Sequence, residues 1–96
     1  MRDDMSEQRA RRRLIVRGRV QGVFFRDSTR ERARAEGLAG WASNRPDGAV
    51  EVVVEGEPDA VEQMISFCRE GPSRADVDDV EVREEEPEGL TSFEVR

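Results

Sequence analysis

Residues 16–26 read VRGRVQGVFFR, and the change of pattern inside this stretch decides the fold. Upstream, Leu14 and Val16 alternate with arginines, the apolar-in, polar-out rhythm of a half-buried strand, and Gly18 closes it. Downstream, DSTRERARAEG, residues 27–37, runs polar and unbroken to Gly37, a glycine stop that marks the end of a helix. Phe25, Thr29 and Ala33 recur every fourth residue and form the thin inward stripe of that helix. The stretch therefore carries the chain out of a first strand, through a tight loop, into the first turn of a helix.

The remaining elements follow from the same periodicities. LAGWASN (38–44) and GAVEVVVEG (48–56) flank a turn built from Pro46, Asp47 and Gly48, which makes a hairpin. Pro58 opens a second helix in which Val61, Met64, Ile65 and Cys68 fall at i, i+3, i+4 and i+7, and Gly71-Pro72 ends it. Cys68 sits on that apolar stripe and reads as core rather than nucleophile. Val80 and Val82 alternate with Glu81 and Arg83 in a fourth strand, and Phe93 and Val95 make a short last one after EEEPEG. This order predicts an α+β, ferredoxin-like βαββαβ sandwich: an antiparallel sheet with two helices on one face and a short fifth strand. Residues 1–11, MRDDMSEQRAR, are polar and unpatterned and read as a disordered lead-in to one domain over 12–96.

Composition narrows the function classes. The chain has 96 residues, one cysteine and no histidine. An intrachain disulfide is excluded, no spacing suggests a metal site, and no apolar run has the length of a membrane span. The expectation is a cytoplasmic monomer that uses no metal and no cofactor. All 16 basic residues are arginine, and the formal net charge is −6. Their placement is uneven: residues 1–34 hold eleven arginines against five acids, whereas 35–96 hold five against seventeen. The acidic part reads as a solvated surface, consistent with a high-salt interior or with genomic base composition. Arginine's planar fork suits phosphate or carboxylate, so its concentration around the glycine-rich run points to an anionic ligand.

The loop itself supports that ligand. Gly18 and Gly22 allow backbone conformations closed to other residues, so that successive N–H groups can converge on one small anion beside the amides of a helix N-terminus. Arg26 falls in the helix's first turn, where a cation is unfavourable unless an anion lies between it and those amides. Taken alone, a glycine-rich turn of this kind is usually only a turn, and such an arginine is usually a surface salt bridge.

A second stretch, GWASNRPDGAVEVVVEG (40–56), places Asn44 at the end of the second strand, just before the hairpin turn. Together the two stretches resemble the two signature motifs of the acylphosphatase family. The first matches from Val16 to Arg26; in the second, Gly40, Trp41, Ala42, Asn44, Gly48, Val50 and Gly56 match in identity and spacing. Ser43 and Arg45 depart from the pattern. The resemblance extends through GPSRADVDDVEV (71–82). It implies hydrolysis of carboxyl phosphates to a carboxylate and inorganic phosphate. It further implies catalytic roles for Arg26 and Asn44: Arg26 and the backbone amides of Gln21, Gly22, Val23 and Phe24 bind the phosphoryl group, and Asn44 holds the attacking water.

Two alternatives come from different classes. Acylphosphatase-like domains are similar to the N-terminal part of hydrogenase-maturation carbamoyltransferases, which suggests a non-catalytic module for acyl or carbamoyl phosphate. An RNA-binding role would suit the fold and the basic N-terminal third, but such domains stack bases on strand aromatics. Here Phe24 and Phe25 lie at the loop-to-helix junction, and the net charge has the wrong sign. The expected partner is a small acyl phosphate, with neither nucleic acid nor membrane.

Overall fold

The computed structural model describes residues 9–96, in the order β1 (Ala10–Arg19), α1 (Phe25–Ala35), β2 (Ala39–Asn44), β3 (Val50–Gly56), α2 (Pro58–Glu70), β4 (Asp76–Glu85) and β5 (Phe93–Val95). The sheet order is β4-β1-β3-β2-β5. Leu14, Val16, Ala42, Val50, Val52, Val54 and Phe93 lie on its covered face and share one core with Phe25 and Ala33 of α1 and with Val61, Met64, Ile65 and Cys68 of α2. Phe25, Thr29 and Ala33 are the buried residues of α1, so the thin stripe suffices because β2, β3 and β5 meet it. Complete burial of Cys68 pushes its thiol up to about 12, which leaves no thiolate for nucleophilic chemistry near neutrality.

Three expectations are corrected. The sheet is mixed: the four long strands pair antiparallel, but β5 pairs with β2 in parallel, Gly40 opposite Phe93 and Ala42 opposite Val95. The chain reaches β5 by crossing from β4 at one edge of the sheet to β2 at the other, and arrives in β2's own direction. The first strand also begins earlier than expected. Residues 1–8 lie outside the described residues, but Ala10 and Arg11 already pair with Gly56 and Glu55 in β1. Finally, Arg11, assigned to the lead-in, and Glu55, which alternates with the valines of β3, are charged yet sequestered: Arg11 is 4% exposed and Glu55 is fully buried.

Their burial is explained on the face without helices. Arg11 Nη1 donates to Glu55 at 2.7 Å and its Nε to Glu85 at 2.8 Å. Glu55 also accepts from the backbone N–H groups of Glu88, Gly89 and Leu90 at 2.8–3.1 Å. Burial pushes the Glu55 carboxyl pKa up, but these amides and the Arg11 guanidinium outweigh it and hold the carboxyl below its ordinary value. Arg13 bridges Glu51 and Glu85, and its guanidinium lies 5.6 Å from the centre of the Trp41 ring. Since Val53 is flanked by Arg13 on β1 and Trp41 on β2, that contact passes over Val53 and keeps it fully buried with no helix above it. The arginines of β1 are thus matched to acids of β3, β4 and the 86–90 loop, and Arg17 to Asp47 of the β2–β3 turn.

Candidate active site

A bulge between Arg17 and Gly18 shifts the register of β1 against β4, and pairing resumes with Gly18 opposite Val77. Gly18 has φ 132°, and a Cβ there would stand 2.1 Å from the carbonyl oxygen of Asp76, so only glycine lets the strands approach this closely. The chain then turns through Val20–Phe24. Gly22 has φ 74° and Phe24 φ 63°, two left-handed residues separated by one other, which is the backbone alternation that turns successive N–H groups toward a common point. Among the described residues, the N–H groups of Gln21, Gly22, Val23 and Phe24 donate to no backbone or side-chain acceptor. Phe24 is the N-cap of α1 and supplies no side-chain cap; the first helical bond runs from Ser28 N–H to the Phe24 carbonyl at 3.0 Å. The amides ahead of Ser28 are therefore open, and the loop joins them in one positive rim.

The loop is fastened to the hairpin that carries Asn44. The side-chain amide nitrogen of Gln21 donates to the carbonyls of Arg45 and Ala49, each at 2.8 Å, on the two sides of the turn closed by Arg45 N–H to Ala49 O at 2.8 Å. Asn44 is the last residue of β2 and is exposed. It shares the strand face of Ala42, the helix-covered one, so it points to the same end of the sheet as the start of α1. Gly22, Phe24, Arg26, Asp27 and Asn44, with the buried Val20 and Phe25, line one pocket of about 210 Å³. Of the residues anticipated from sequence, Gly22, Phe24, Arg26 and Asn44 meet there, while Gln21 turns its side chain into the hairpin and Val23 packs against the core.

Arg26 has no Asp or Glu side chain within salt-bridge distance among the described residues. Its Nη1 donates instead to the backbone oxygen of Arg96 at 2.8 Å. Arg96 is fixed in turn by its N–H on the Ala42 carbonyl at 2.8 Å and by its guanidinium, 4.7 Å from the centre of the Trp41 ring. This brace spans 70 residues of sequence and had no local signal. Asp27, the carboxylate nearest the loop, lies 3.5 Å from Arg30 one turn on. A guanidinium held by one backbone oxygen, facing open amides across a small pocket, suits a tetrahedral anion.

Comparison with known proteins agrees with this geometry. Residues 12–95 match the family model described as Acylphosphatase. The chain is 54% identical to an acylphosphatase of Rubrobacter xylanophilus over 94 residues, 97% of this chain and 86% of that one. The solved structure of an acylphosphatase from Coxiella burnetii superposes with a TM-score of 0.93 at 36% identity, over 99% of this chain and all of that one. A crystal structure of full-length HypF in its phosphate- and nucleotide-bound form is also similar, at 31% identity and a TM-score of 0.86, over 93% of this chain but 12% of HypF. A matching loop, a matching hairpin and near end-to-end likeness in sequence and structure place the chain in the acylphosphatase family.

Proposed function

We propose that the protein is an acylphosphatase that hydrolyses carboxyl phosphates, with Arg26 and the amides of Gln21, Gly22, Val23 and Phe24 on the phosphoryl oxygens and the Asn44 side chain on the attacking water. The observation that carries this reading is the meeting of Arg26, the left-handed loop and Asn44 in one pocket. In a loose phosphoryl transition state, charge spreads over the equatorial oxygens, and catalysis consists of positioning and of stabilising that charge. Open amides and a guanidinium do this in place before the reaction starts. Water adds to phosphorus as the bond to the acyl oxygen breaks, and the electron pair stays with the carboxylate. A carboxylate leaves without being protonated, so a site with no histidine meets the need, whereas an alkoxide leaving group would require an acid.

The test is Asn44→Ala assayed with EDTA present. Loss of turnover with unchanged competitive inhibition by inorganic phosphate is expected, because water rather than the phosphoryl group is misplaced. Equal loss of phosphate affinity would contradict the division of roles. The likeness to phosphate-bound HypF favours a second reading, a binding module for acyl or carbamoyl phosphate, and absence of multiple turnovers with every acyl phosphate would select it. The proposal includes a cytoplasmic monomer acting without nucleic acid or membrane; among the described residues no helix is long and apolar enough to cross a membrane.

A further inference from the structure

Phe24 combines two unfavourable features at one position. Its side chain is 65% exposed, the large apolar side chain left open to solvent among the described residues. It is also the non-glycine residue with positive φ among them, at 63°. A left-handed backbone strains an ordinary residue, a penalty that glycine avoids. Core packing does not account for the ring, since the neighbouring Phe25, 1% exposed, is the one that enters the core. Strain kept at a pocket wall is an observation from which function can be inferred.

We propose that the Phe24 ring is the acyl subsite: the apolar surface against which an aryl or branched apolar acyl group packs once its phosphoryl group is anchored. This rests on the acylphosphatase reading. In that reading the backbone N–H of Phe24 holds a phosphoryl oxygen, so its ring starts one Cβ away from the phosphate cradle. The acyl carbon is joined to phosphorus through a single oxygen and lies within the ring's reach. Offset or edge-to-face contact with an aromatic acyl group would use the ring's geometry as well as its area. Asp27 on the same pocket wall disfavours an acyl chain that carries a second carboxylate. The substrate class is therefore aromatic or branched apolar monoacyl phosphates, in preference to acetyl or dicarboxylic ones.

The experiment compares kcat/KM for benzoyl phosphate and acetyl phosphate in the wild type, Phe24→Gly and Phe24→Tyr. Glycine accepts φ 63° and keeps the amide, so only the ring is removed; tyrosine keeps the ring. The benzoyl-to-acetyl ratio should fall about tenfold in Phe24→Gly, equivalent to about 1.4 kcal/mol, and stay near wild type in Phe24→Tyr. A ratio unchanged in Phe24→Gly, whatever the absolute rates, overturns the inference alone. Hydrolysis of neither substrate by the wild type overturns the acylphosphatase reading and this inference with it.

Discussion

Arginine occupies two regions of this molecule under opposite conditions. On the helix-free face Arg11 and Arg13 lie between Glu51, Glu55 and Glu85, where each charge is neutralised and the pairs cover the sheet. At the end of the sheet Arg26 donates to the backbone oxygen of Arg96 and, among the described residues, to no carboxylate side chain. A guanidinium clamped between carboxylate side chains has little to offer an incoming anion, whereas Arg26 keeps most of its donors free of side-chain acceptors among the described residues. The same residue type is structural in one place and available for binding in the other, and the difference lies in which strand register delivers carboxylates to it.

Glu55→Ala probes the first region hardest. Removing one member of a buried pair costs about 3–5 kcal/mol, and the low end is expected because Arg11 keeps Glu85. Since 1 kcal/mol shifts Tm by roughly 4–8 °C in a domain of this size, a thermal melt should drop by more than about 10 °C, with kcat unchanged at temperatures where the variant is folded. A fall in kcat without a fall in Tm would erase the distinction between the regions. Arg26→Ala should do the reverse, losing on the order of 10²–10³ in kcat with Tm nearly unchanged. Arg26→Lys should restore little of it, because an ammonium cannot reproduce the fork. Near-normal turnover in Arg26→Ala would make Arg26 as structural as Arg11.

Acid separates the regions in a second way. Glu85 is held at about 2, mainly by Arg13 and then Arg11, against an ordinary 4.5; Asp47 is held at about 2, mainly by the Ala49 amide and then Arg17, against 3.8. A carboxyl lowered in the folded chain stabilises it fully above the ordinary value, and that stabilisation is lost as pH falls toward 2. Tm should therefore be flat above about pH 5 and fall between about 4.5 and 2; a flat Tm through that window would mean that these pairs add nothing. The smallest expected effect is at the site. Between about pH 5 and 8, where only histidine ordinarily titrates, kcat should show a plateau, because the chain contains no histidine. A limb that Asp27→Asn abolishes would add a general base to the mechanism.

The elements that use the ordinary rhythm were legible. Val50, Val52 and Val54, the 61–64–65–68 stripe and the stops at Gly37 and Gly71 say what they are because burial follows hydropathy there. The start of β1 was not, because Arg11 is buried on the helix-free face only by virtue of Glu55 and Glu85, which lie 44 and 74 residues away. A pattern that counts every charge as outward must misplace both partners of a buried pair. For the candidate site, the two motifs named Arg26, Asn44 and the loop, while the left-handed Phe24 and the Arg96 brace depend on the folded backbone and on a strand of three residues.

The placement of β4 has one more consequence. It forms one outer edge of the sheet, ten residues long, with a row of backbone donors and acceptors on which another chain could build. Asp76, Asp78, Asp79, Glu81, Glu84 and Glu85 stand along that strand, and of these Asp78 and Asp79 carry charge that no arginine pairs among the described residues. A second molecule approaching edge to edge would bring the same acids into register against them, and like charges opposed across strands repel. The acidity of the C-terminal half is thus also colloidal protection. Such repulsion disfavours edge-to-edge pairing of two molecules for as long as those carboxylates stay ionised.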